Sequence, residues 1–525
     1  MGRWTWRAGL VACVVAMSSA GPLMAQLAPL SVPRGAVRLE LGGDFESWDH
    51  QFVDGTSVGL AAAFQSDSLG VGLIPSLASA NQMLARITGD PGAELILGRT
   101  RTDAEINRDI GIVGLGIGIT SRLTLFGRLP AVRSRVQSSF RISDDPATAG
   151  FNPGSPAFGN SAGSQQDAAF FQEFSTALGT LDQQIAAGAF DSDPARKAAA
   201  EATLSDATAL RNDLFNLFGD PASASPFAPL AYSDLGHAVT ARVNAVQTAL
   251  SQFGVTGFNT QLALASTPLD AAAFSQYLTS PGGPIGALPL GELVTARPGD
   301  AEVGMAYTVM DRWDRGDHRG GLRVAVEGLV RLPTGQADSP LHFLDAGTGD
   351  HQMDLQGRIV ADVGTGLLGA RLTGLYNRQL ASDAIRLVAS PLHPVAPRSQ
   401  LASLRIDPGD ETSIGVEPFV RLSRTFAFLL GATYTHRGAD AVTFSSSDGA
   451  IPGADATIVA EGSEWNMTVL RAGFTFADLG ALRPGGKGLP LDASWTWEKV
   501  IAASDGIVPQ AMAIRARLRI YVGLF

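Results

Sequence analysis

The chain has almost no cysteine, since Cys13 is the only one among its 525 residues. Cys13 lies in an N-terminal stretch in which two arginines precede the apolar run 8–17, a pattern typical of a secretory signal peptide. We therefore predict a signal peptide over residues 1–25, cleaved after Ala25 or at an earlier site. Leu10 to Cys13 also matches a lipoprotein cleavage box, but the apolar run continues beyond it. Without this cysteine, the exported chain can form no disulfide bond and no cysteine-based metal site.

Charge and long hydrophobic runs are also scarce. Charged residues make up 17% of the chain, yet no stretch after the signal peptide is a continuous apolar run long enough for a membrane helix. A soluble protein of this size usually carries more charge. A transmembrane β-barrel combines both properties, because its outward face is apolar and its inward face polar at every second residue. The net charge of −11 argues against a nucleic-acid partner.

Recognisable catalytic constellations are scarce as well. The sequence contains no His-Glu-x-x-His zinc motif. Gly-x-Ser-x-Gly strings occur at 55–59 and 159–163, but nothing in the sequence places a His and an orienting polar residue with either serine. Its seven histidines are scattered and show no metal-ligand spacing. We therefore predict a protein that is not an enzyme and that holds no cofactor or metal; an outer-membrane hydrolase is the enzymatic alternative.

Strict alternation of apolar and polar residues, which predicts β-strands, is clearest at the C-terminus. There Arg515, Arg517 and Arg519 alternate with apolar residues, and the chain ends at Phe525. An apolar-faced strand with a terminal Phe resembles the sorting signal of outer-membrane barrels, which implies recognition by the barrel assembly machinery. Phe525 has the parity of the arginines, so its register departs from that signal. We expect a Gram-negative-type outer membrane as the location, with both termini on the periplasmic side.

The same alternation recurs along the chain and gives about twelve strands, an even number as in bacterial single-chain barrels. We predict an all-β transmembrane fold, a closed antiparallel up-and-down β-barrel built from residues 26–136 and 300–525, with an inserted α-helical extracellular subdomain at 137–299. The segments are 35–48, 100–120, 122–136, 300–313, 320–333, 352–365, 367–380, 412–423, 424–436, 464–477, 487–500 and 511–525.

The connections between these segments are sorted by length. Short turns at the periplasmic end and long loops outside are the usual asymmetry of an outer-membrane barrel. Alternate connections are short, at 120–122, 314–319, 364–366 and 423–425, with an intermediate one at 478–486, whereas those between them are long, at 49–98, 137–299, 334–351, 381–411 and 437–463.

The longest connection is predicted to be helical, because its apolar residues recur with a helical period. We expect three or four helices over 165–280, packed through their apolar stripes outside the membrane-facing wall. The stripes are Phe170, Phe174, Leu178, Leu181 and Ile185; Leu204, Ala207, Leu210, Leu214 and Leu217; and Leu235, Val239, Val243, Val246 and Leu250.

Two stretches resemble a known family. Residues 116–132, GIGITSRLTLFGRLPAV, and residues 320–350, GGLRVAVEGLVRLPTGQADSPLHFLDAGTGD, are similar to strand–turn–strand units of the outer-membrane proteins named for the meta-pathway of phenol degradation. Pro298-Gly299-Asp300 also fits that pattern, and the resemblance covers about 100–136 and 298–380. It implies a barrel that imports hydrophobic aromatic compounds, likened to long-chain fatty-acid transporters, with no catalytic residues. The large helical insert departs from the family.

Charged members of the strands are expected to line the lumen. If the barrel closes, the first strand pairs with the last and brings acidic side chains to arginines, which would form a lumenal charge seam. The alternative is that the arginines attract an anionic solute. The seam consists of Glu40, Asp44 and Glu46 with Arg515, Arg517 and Arg519; the other lumen-facing candidates are Arg323, Glu327, Arg331, Asp354, Arg358, Asp362, Arg371, Glu417 and Arg421.

These observations favour a transport function, the passive uptake of small, hydrophobic or aromatic molecules through a barrel embedded in outer-membrane lipid. The alternative is a plugged structural barrel that anchors the helical insert as an interaction subdomain at the cell surface. The lumen distinguishes them, because a path or an apolar pocket favours transport whereas a sealed, salt-bridged core favours an anchor.

Overall fold

A computed structural model describes residues 30–220, 224–281, 283–288, 291–313, 320–423, 425–479, 482 and 490–523. The predicted signal peptide over 1–25 and the terminal Phe525 lie outside the described residues.

Twelve strands form one closed antiparallel barrel, as predicted, and each strand pairs with its two neighbours along the chain. The ring closes where the first strand pairs with the last. The strands are β1 (Ala36–Trp48), β2 (Leu97–Gly118), β3 (Leu123–Ala147), β4 (Ala301–Trp313), β5 (Gly321–Leu332), β6 (Asp354–Thr365), β7 (Leu368–Gln379), β8 (Glu411–Arg421), β9 (Phe426–Arg437), β10 (Trp465–Asp478), β11 (Leu491–Ser504) and β12 (Met512–Gly523).

An apolar belt surrounds the barrel, because each strand points alternate residues outward. Large apolar side chains that would normally be buried are 37–63% exposed here, which is the pattern of a wall that faces lipid. One member from each strand is Leu39, Val113, Leu125, Val303, Leu322, Ile359, Leu372, Ile414, Leu430, Leu470, Trp495 and Val522.

The long connections gather at one end of the barrel, where strands such as β3 and β7 end and β4 and β8 begin. The turns at the other end are shorter, from Thr365 to Leu368 for example. Chain lengths are therefore sorted as the sequence predicts. None of the described helices is long and apolar enough to cross a membrane.

Helices occupy two of the long connections. The sequence predicted them only in the second, so the helix in the first was missed. Four of them lie within the predicted 165–280 region or at its edges. Their bounds are α1 (Leu77–Thr88) between β1 and β2, and α2 (Ser161–Ala186), α3 (Pro194–Leu214), α4 (Asp234–Ser251) and α5 (Ala271–Thr279) between β3 and β4.

Strand structure continues further than expected on either side of these helices. β3 ends at Ala147 rather than at 136, and Glu292–Pro298 forms an additional strand paired with it. Above the belt the outward residues become charged, as with Arg133, while inward ones such as Val136 and Phe140 are apolar and pack against the helices. The strand therefore remains amphipathic after it leaves the membrane, but there its inward face is apolar and its outward face is charged.

The helices share one apolar core that follows the predicted stripes. Phe170, Phe174 and Leu181 of α2 are fully buried, as are Leu214 of α3 and Val239 of α4. A side-chain oxygen accepts a hydrogen bond from a backbone N–H at the start of four helices, which satisfies donors that the helix itself leaves unpaired. The capping residues are Asn160, Asp193, Ser233 and Asp270.

Small sheets and single turns complete the extracellular end. Ser382–Leu387, Leu401–Asp407 and Ala441–Phe444 form one sheet; His50–Val53, Thr56–Gly59 and Ile507–Pro509 form another; and Ala149–Phe151 pairs with Phe227–Pro229. The short helical turns are Ala62–Phe64, Phe215–Gly219, Arg398–Gln400 and Ala456–Ala460.

Candidate functional site

The closure of the barrel sets acidic and basic side chains opposite one another. In the register between β1 and β12, Glu40 stands opposite Arg519 and Asp44 opposite Arg515. These residues share the inward parity of their strands, and Glu40 and Asp44 are only 3% exposed. The residues named for the seam are thus brought together inside the barrel.

Each arginine of β12 contacts at least one of these acids. Arg515 Nη1 lies 2.8 Å from Asp44 Oδ2, and its Nη2 lies 3.2 Å from Glu46 Oε1. Arg517 holds Asp44 through both terminal nitrogens, with Nη2 2.9 Å from Oδ2. Its distance to Glu40 is longer, at 3.9 Å. Asp44 is therefore the main partner of Arg517, not Glu40.

The seam continues as a chain of ion pairs around the wall. Arg515 Nε lies 3.0 Å from Glu498, and the same carboxylate accepts Arg471 Nε at 2.8 Å. Adjacent members are in contact or stand opposite one another across a strand pair. In order they are Asp44, Arg515, Glu498, Arg471, Glu417, Arg371, Asp362, Arg323 and Asp311.

A second chain of ion pairs runs in the other direction from the seam. Glu40 is its junction, because it lies 3.4 Å from Arg519 and 3.6 Å from Arg128. Its members are Asp492, Arg519, Glu40, Arg128, Glu302, Arg331 and Asp354. A further ion pair, Arg358 with Glu327 at 2.7 Å, lies between the ends of the two chains. We refer to both chains, with Glu46, Arg517, Glu327 and Arg358, as the girdle.

Of the predicted lumen-facing residues, Arg421 is the one that lies apart from the girdle. It donates to the carbonyl of Gly366 at 3.0 Å, and its guanidinium sits over the Trp313 ring at 4.9 Å, near the short turns. Sequence reasoning also missed girdle members on neighbouring strands. Five of them share the inward parity that identified the others, so this signal was present; they are Arg128, Glu302, Arg471, Asp492 and Glu498. Asp311 does not, because a register shift in β4 between Thr308 and Met310 reverses the alternation.

The segment before β1 lies against the inner wall at the short-turn end of the barrel. Val32 is fully buried, and its N–H donates to Thr124 Oγ1 at 2.7 Å. Ser31 contacts Thr308 at 2.8 Å, and Leu30 packs on an apolar cluster of the inner wall. Residues 30–35 therefore form a floor beneath the girdle.

An apolar inner wall rises above the girdle on β2 and β3. Ile110 stands opposite Val132 and Ile112 opposite Pro130, all with inward parity. Ile110, Ile112 and Pro130 remain partly exposed although they face the lumen. Towards the extracellular end this wall merges with the core of the helices through the buried Ile106.

The helices cover the mouth of the lumen. Their core includes Leu344 and Val395, which belong to two other extracellular loops. Two backbone hydrogen bonds tie the segment after α5 to the same loops, from Leu288 N–H to Leu341 O at 2.7 Å and from Arg398 N–H to Pro284 O at 2.8 Å. The helices and these loops thus pack into one unit, which we call the cap.

Pro333-Thr334-Gly335, within the stretch 320–350 that carries the family resemblance, lies at this rim. Thr334 Oγ1 accepts the N–H of Ala301 and donates to the carbonyl of Gly299, both at 2.8 Å. Gly335 N–H donates to Asp300 at 2.7 Å. Asp300 is buried, and this desolvation raises the pKa of its carboxyl. These motif residues therefore tie the loop after β5 to the start of β4.

One carboxyl is buried inside the cap itself. Asp167 of α2 is 4% exposed, and its Oδ1 accepts the N–H of Ala263 at 2.9 Å. Its Oδ2 is buried beside Gly154. Burial raises the pKa of Asp167 to about 6, because the charged form loses more solvation than one hydrogen bond returns.

Metal-binding clusters are absent from the described ranges, where no group of three His, Cys, Asp or Glu side chains could hold an ion. What the site offers is a set of surfaces: a floor, a charged girdle, an apolar wall and a cap. These surfaces can bind or exclude a solute, and they point to no reaction.

No family model matches the chain, and no curated protein matches it either. Solved structures are similar in outline. An outer membrane channel from Pseudomonas putida F1 has a TM-score of 0.41 at 10% identity, covering 95% of this chain and 100% of that one. The transport unit of the Escherichia coli autotransporter AIDA-I has a TM-score of 0.32 at 7%, covering 94% and 93%. The Pseudomonas putida toluene transporter TodX has a TM-score of 0.23 at 10%, covering 94% and 90%. At these scores the likenesses say nothing about the solute.

Proposed function

We propose that this barrel is an outer-membrane channel for the passive uptake of small, hydrophobic or aromatic molecules. The observation that carries the proposal is the apolar inner wall. Ile110, Ile112 and Pro130 stay partly exposed inside a barrel whose other inward positions are mostly charged or polar. Apolar surface left open in an enclosed space is the usual lining of a site for an apolar ligand.

The girdle supports selection rather than free flow. Its nine arginines stand against eleven carboxylates, so the ion pairs leave only a small negative excess and no strong field that would draw ions of either sign into the lumen. Arg515 and Arg471 keep 35% and 33% of their side-chain surface accessible, so the girdle is not a dry core. A solute that enters along the apolar wall therefore reaches side chains that are not sealed from water, and the segment 30–35 lies below them.

The second candidate is a structural barrel that anchors the cap at the cell surface. The floor formed by residues 30–35, the paired charges of the girdle and the helices over the mouth favour this alternative. In this case the exposed side of the helices would be the working surface, and the lumen would carry nothing.

Uptake into proteoliposomes distinguishes the two. We would measure entry of a small uncharged aromatic solute, whose polar hydroxyl substituents make it cross plain bilayers slowly, and of a sugar of similar size. The channel predicts faster entry of the aromatic solute than in protein-free liposomes, with little change for the sugar. Ile110→Asp should slow aromatic entry by about tenfold or more, since it places a charge on the apolar wall.

Ile110→Leu is the matched control, because it keeps the apolar surface and should transport like the parent. Equal entry of both solutes with and without protein would exclude the channel and leave the anchor. Entry of the sugar at the same rate as the aromatic solute would also contradict the proposal, because it would indicate an open porin.

A further inference from the structure

Two adjoining depressions lie on the outer surface of the barrel, near the extracellular rim. The lower one is a groove of about 470 Å³ over β5 to β8, and the upper one is a pocket of about 440 Å³ at the ends of β7 to β9. Tyr376 and Thr412 line both depressions. They therefore form one continuous surface that runs from the lipid-facing wall to the rim.

The groove exists because glycines replace side chains on the outward face. Gly357 and Gly374 line it, and nothing lies within 4 Å of the position that a Cβ on Gly357 would take. The sides of the groove are the outward Val326, Ile359 and Ile414, which are 38–63% exposed. A depression of this chemistry within the belt fits a hydrocarbon chain.

The upper pocket is polar and also lies on the outer side of the wall. Tyr376, Arg378, Thr412 and His436 share outward parity, and Asp410 precedes β8. Arg378 Nη1 lies 2.7 Å from Asp410 Oδ1, and Tyr376 OH donates to Asp410 Oδ2 at 2.5 Å. The hydroxyl of Tyr376 and the guanidinium of Arg378 lower the pKa of Asp410, so it stays ionised.

The charges of the pocket specify a type of headgroup. Arg378 also contacts Asp407 at 3.2 Å, so one guanidinium lies between two carboxylates. An anion alone would meet a net negative pocket. A headgroup that carries both charges can place its phosphate on Arg378 and its ammonium on the carboxylates. A guanidinium has five N–H donors and each carboxylate oxygen two lone pairs, so the internal contacts leave capacity for both.

We propose that this surface binds an acyl lipid whose headgroup carries a phosphate and a primary ammonium, with one hydrocarbon chain in the groove over Gly357 and Gly374 and the headgroup at Arg378, Asp407 and Asp410. The hydrocarbon chain moves from the apolar bilayer into an apolar groove, so its packing contributes little to the binding free energy. The headgroup therefore supplies most of the preference for one lipid over another.

Native mass spectrometry of the full-length protein, released from mixed micelles, tests the proposal. The probes are phosphatidylethanolamine, phosphatidylcholine and phosphatidylglycerol at equal concentrations with matched chains. We expect phosphatidylethanolamine to be retained about three- to tenfold more than either competitor, as one or two charge-assisted hydrogen bonds would give. The trimethylammonium of phosphatidylcholine cannot donate to the carboxylates, and phosphatidylglycerol has no cation.

Two variants locate the site. Gly357→Leu places a side chain in the groove, where its Cβ meets no atom within 4 Å, and should reduce phosphatidylethanolamine retention to the level of the competitors. Asp410→Asn should remove the preference over phosphatidylcholine. Gly111→Leu is the matched control, because Gly111 is an outward glycine on β2, away from the groove, and its Cβ would meet only a carbonyl oxygen at 4.0 Å. The migration of unheated protein in SDS gels checks that each barrel is folded.

Preference for phosphatidylglycerol, or equal retention of phosphatidylcholine, would overturn the headgroup assignment and with it the proposal. Undiminished phosphatidylethanolamine retention by folded Gly357→Leu would overturn the location. An equal loss in Gly111→Leu would likewise contradict it, because the effect would then be one of the whole wall.

Discussion

The barrel and its helical cap are inverted versions of each other. The barrel turns apolar side chains such as Leu39 and Ile414 outward and keeps charges such as Asp44 and Arg323 inside. The cap buries Phe174 and Leu214 and exposes its polar residues. Each region thus turns toward its surroundings the side chains that match them. Apolar side chains face lipid in the barrel, and polar side chains face water in the cap. Strand β3 passes through both, and the polarity of its two faces reverses at Val132 and Arg133.

The largest expected effect comes from the cap core. Phe174→Ala removes a fully buried ring that stacks on Phe258 with centroids 4.4 Å apart. We expect a loss of about 3–5 kcal/mol in the stability of the cap, as for other buried Phe-to-Ala changes. Limited proteolysis should cut the helices while the barrel keeps its folded migration in SDS gels. Loss of both regions together would mean that the cap and barrel are a single cooperative unit.

The second effect concerns the girdle. Arg517→Glu places a third carboxylate near Asp44 and Glu40 and should cost the barrel about 3–5 kcal/mol, because it leaves buried charges without a partner. Adding Asp44→Arg should recover part of this loss. The geometry predicts a smaller recovery from Glu40→Arg, since Glu40 lies 3.9 Å from Arg517. Urea titrations of refolding into micelles would give the free energies, and simple additivity of the losses would contradict the seam.

The sequence predicts the barrel and the helices from different signals, and it predicts them to different extents. Alternation with period two predicted the twelve strands, and closure of the ring predicted that Glu40 and Asp44 meet the arginines of β12. It did not identify Asp44 as the partner of Arg517, because side-chain reach decides among several acids at one level of the lumen. Helix α1 was missed because one stripe over 12 residues is a weaker signal than the three successive stripes of the insert. Its buried Leu77, Ala80, Leu84 and Ile87 follow that spacing.

The third effect is a pH dependence confined to the cap. The pKa of Asp167 rises from 3.8 to about 6 on folding, so the folded cap binds a proton that the unfolded chain releases. Stability from this group is present below about pH 4 and is lost as the pH rises to about 6. Asp167→Asn cannot ionise and should remove this part of the pH dependence. We would compare urea unfolding of both proteins near pH 4 and pH 7; equal slopes against pH would contradict a buried, protonated Asp167.

The smallest effect should come from ion pairs outside the belt. Arg141 and Asp103 lie 2.7 Å apart on the outward face of β2 and β3, but their side chains are 72% and 71% exposed. Exchanging them, Arg141→Asp with Asp103→Arg, should change stability by about 0–1 kcal/mol, because water screens the pair. The same measurement as for Arg517 applies. A change as large as that of the girdle would mean that burial does not distinguish the two sets of charges.

Ion conductance across a planar bilayer tests the central claim most directly, namely that the paired charges of the girdle and the floor formed by residues 30–35 leave no continuous water-filled path for ions through the lumen. The folded protein should add no steady ohmic current to that of the protein-free bilayer. Asp44→Ala combined with Arg517→Ala, which removes one pair together, should add at most brief openings. A steady, porin-like current from the unaltered protein would contradict the account, because it would require a water-filled path where the structure places the girdle and the buried Val32.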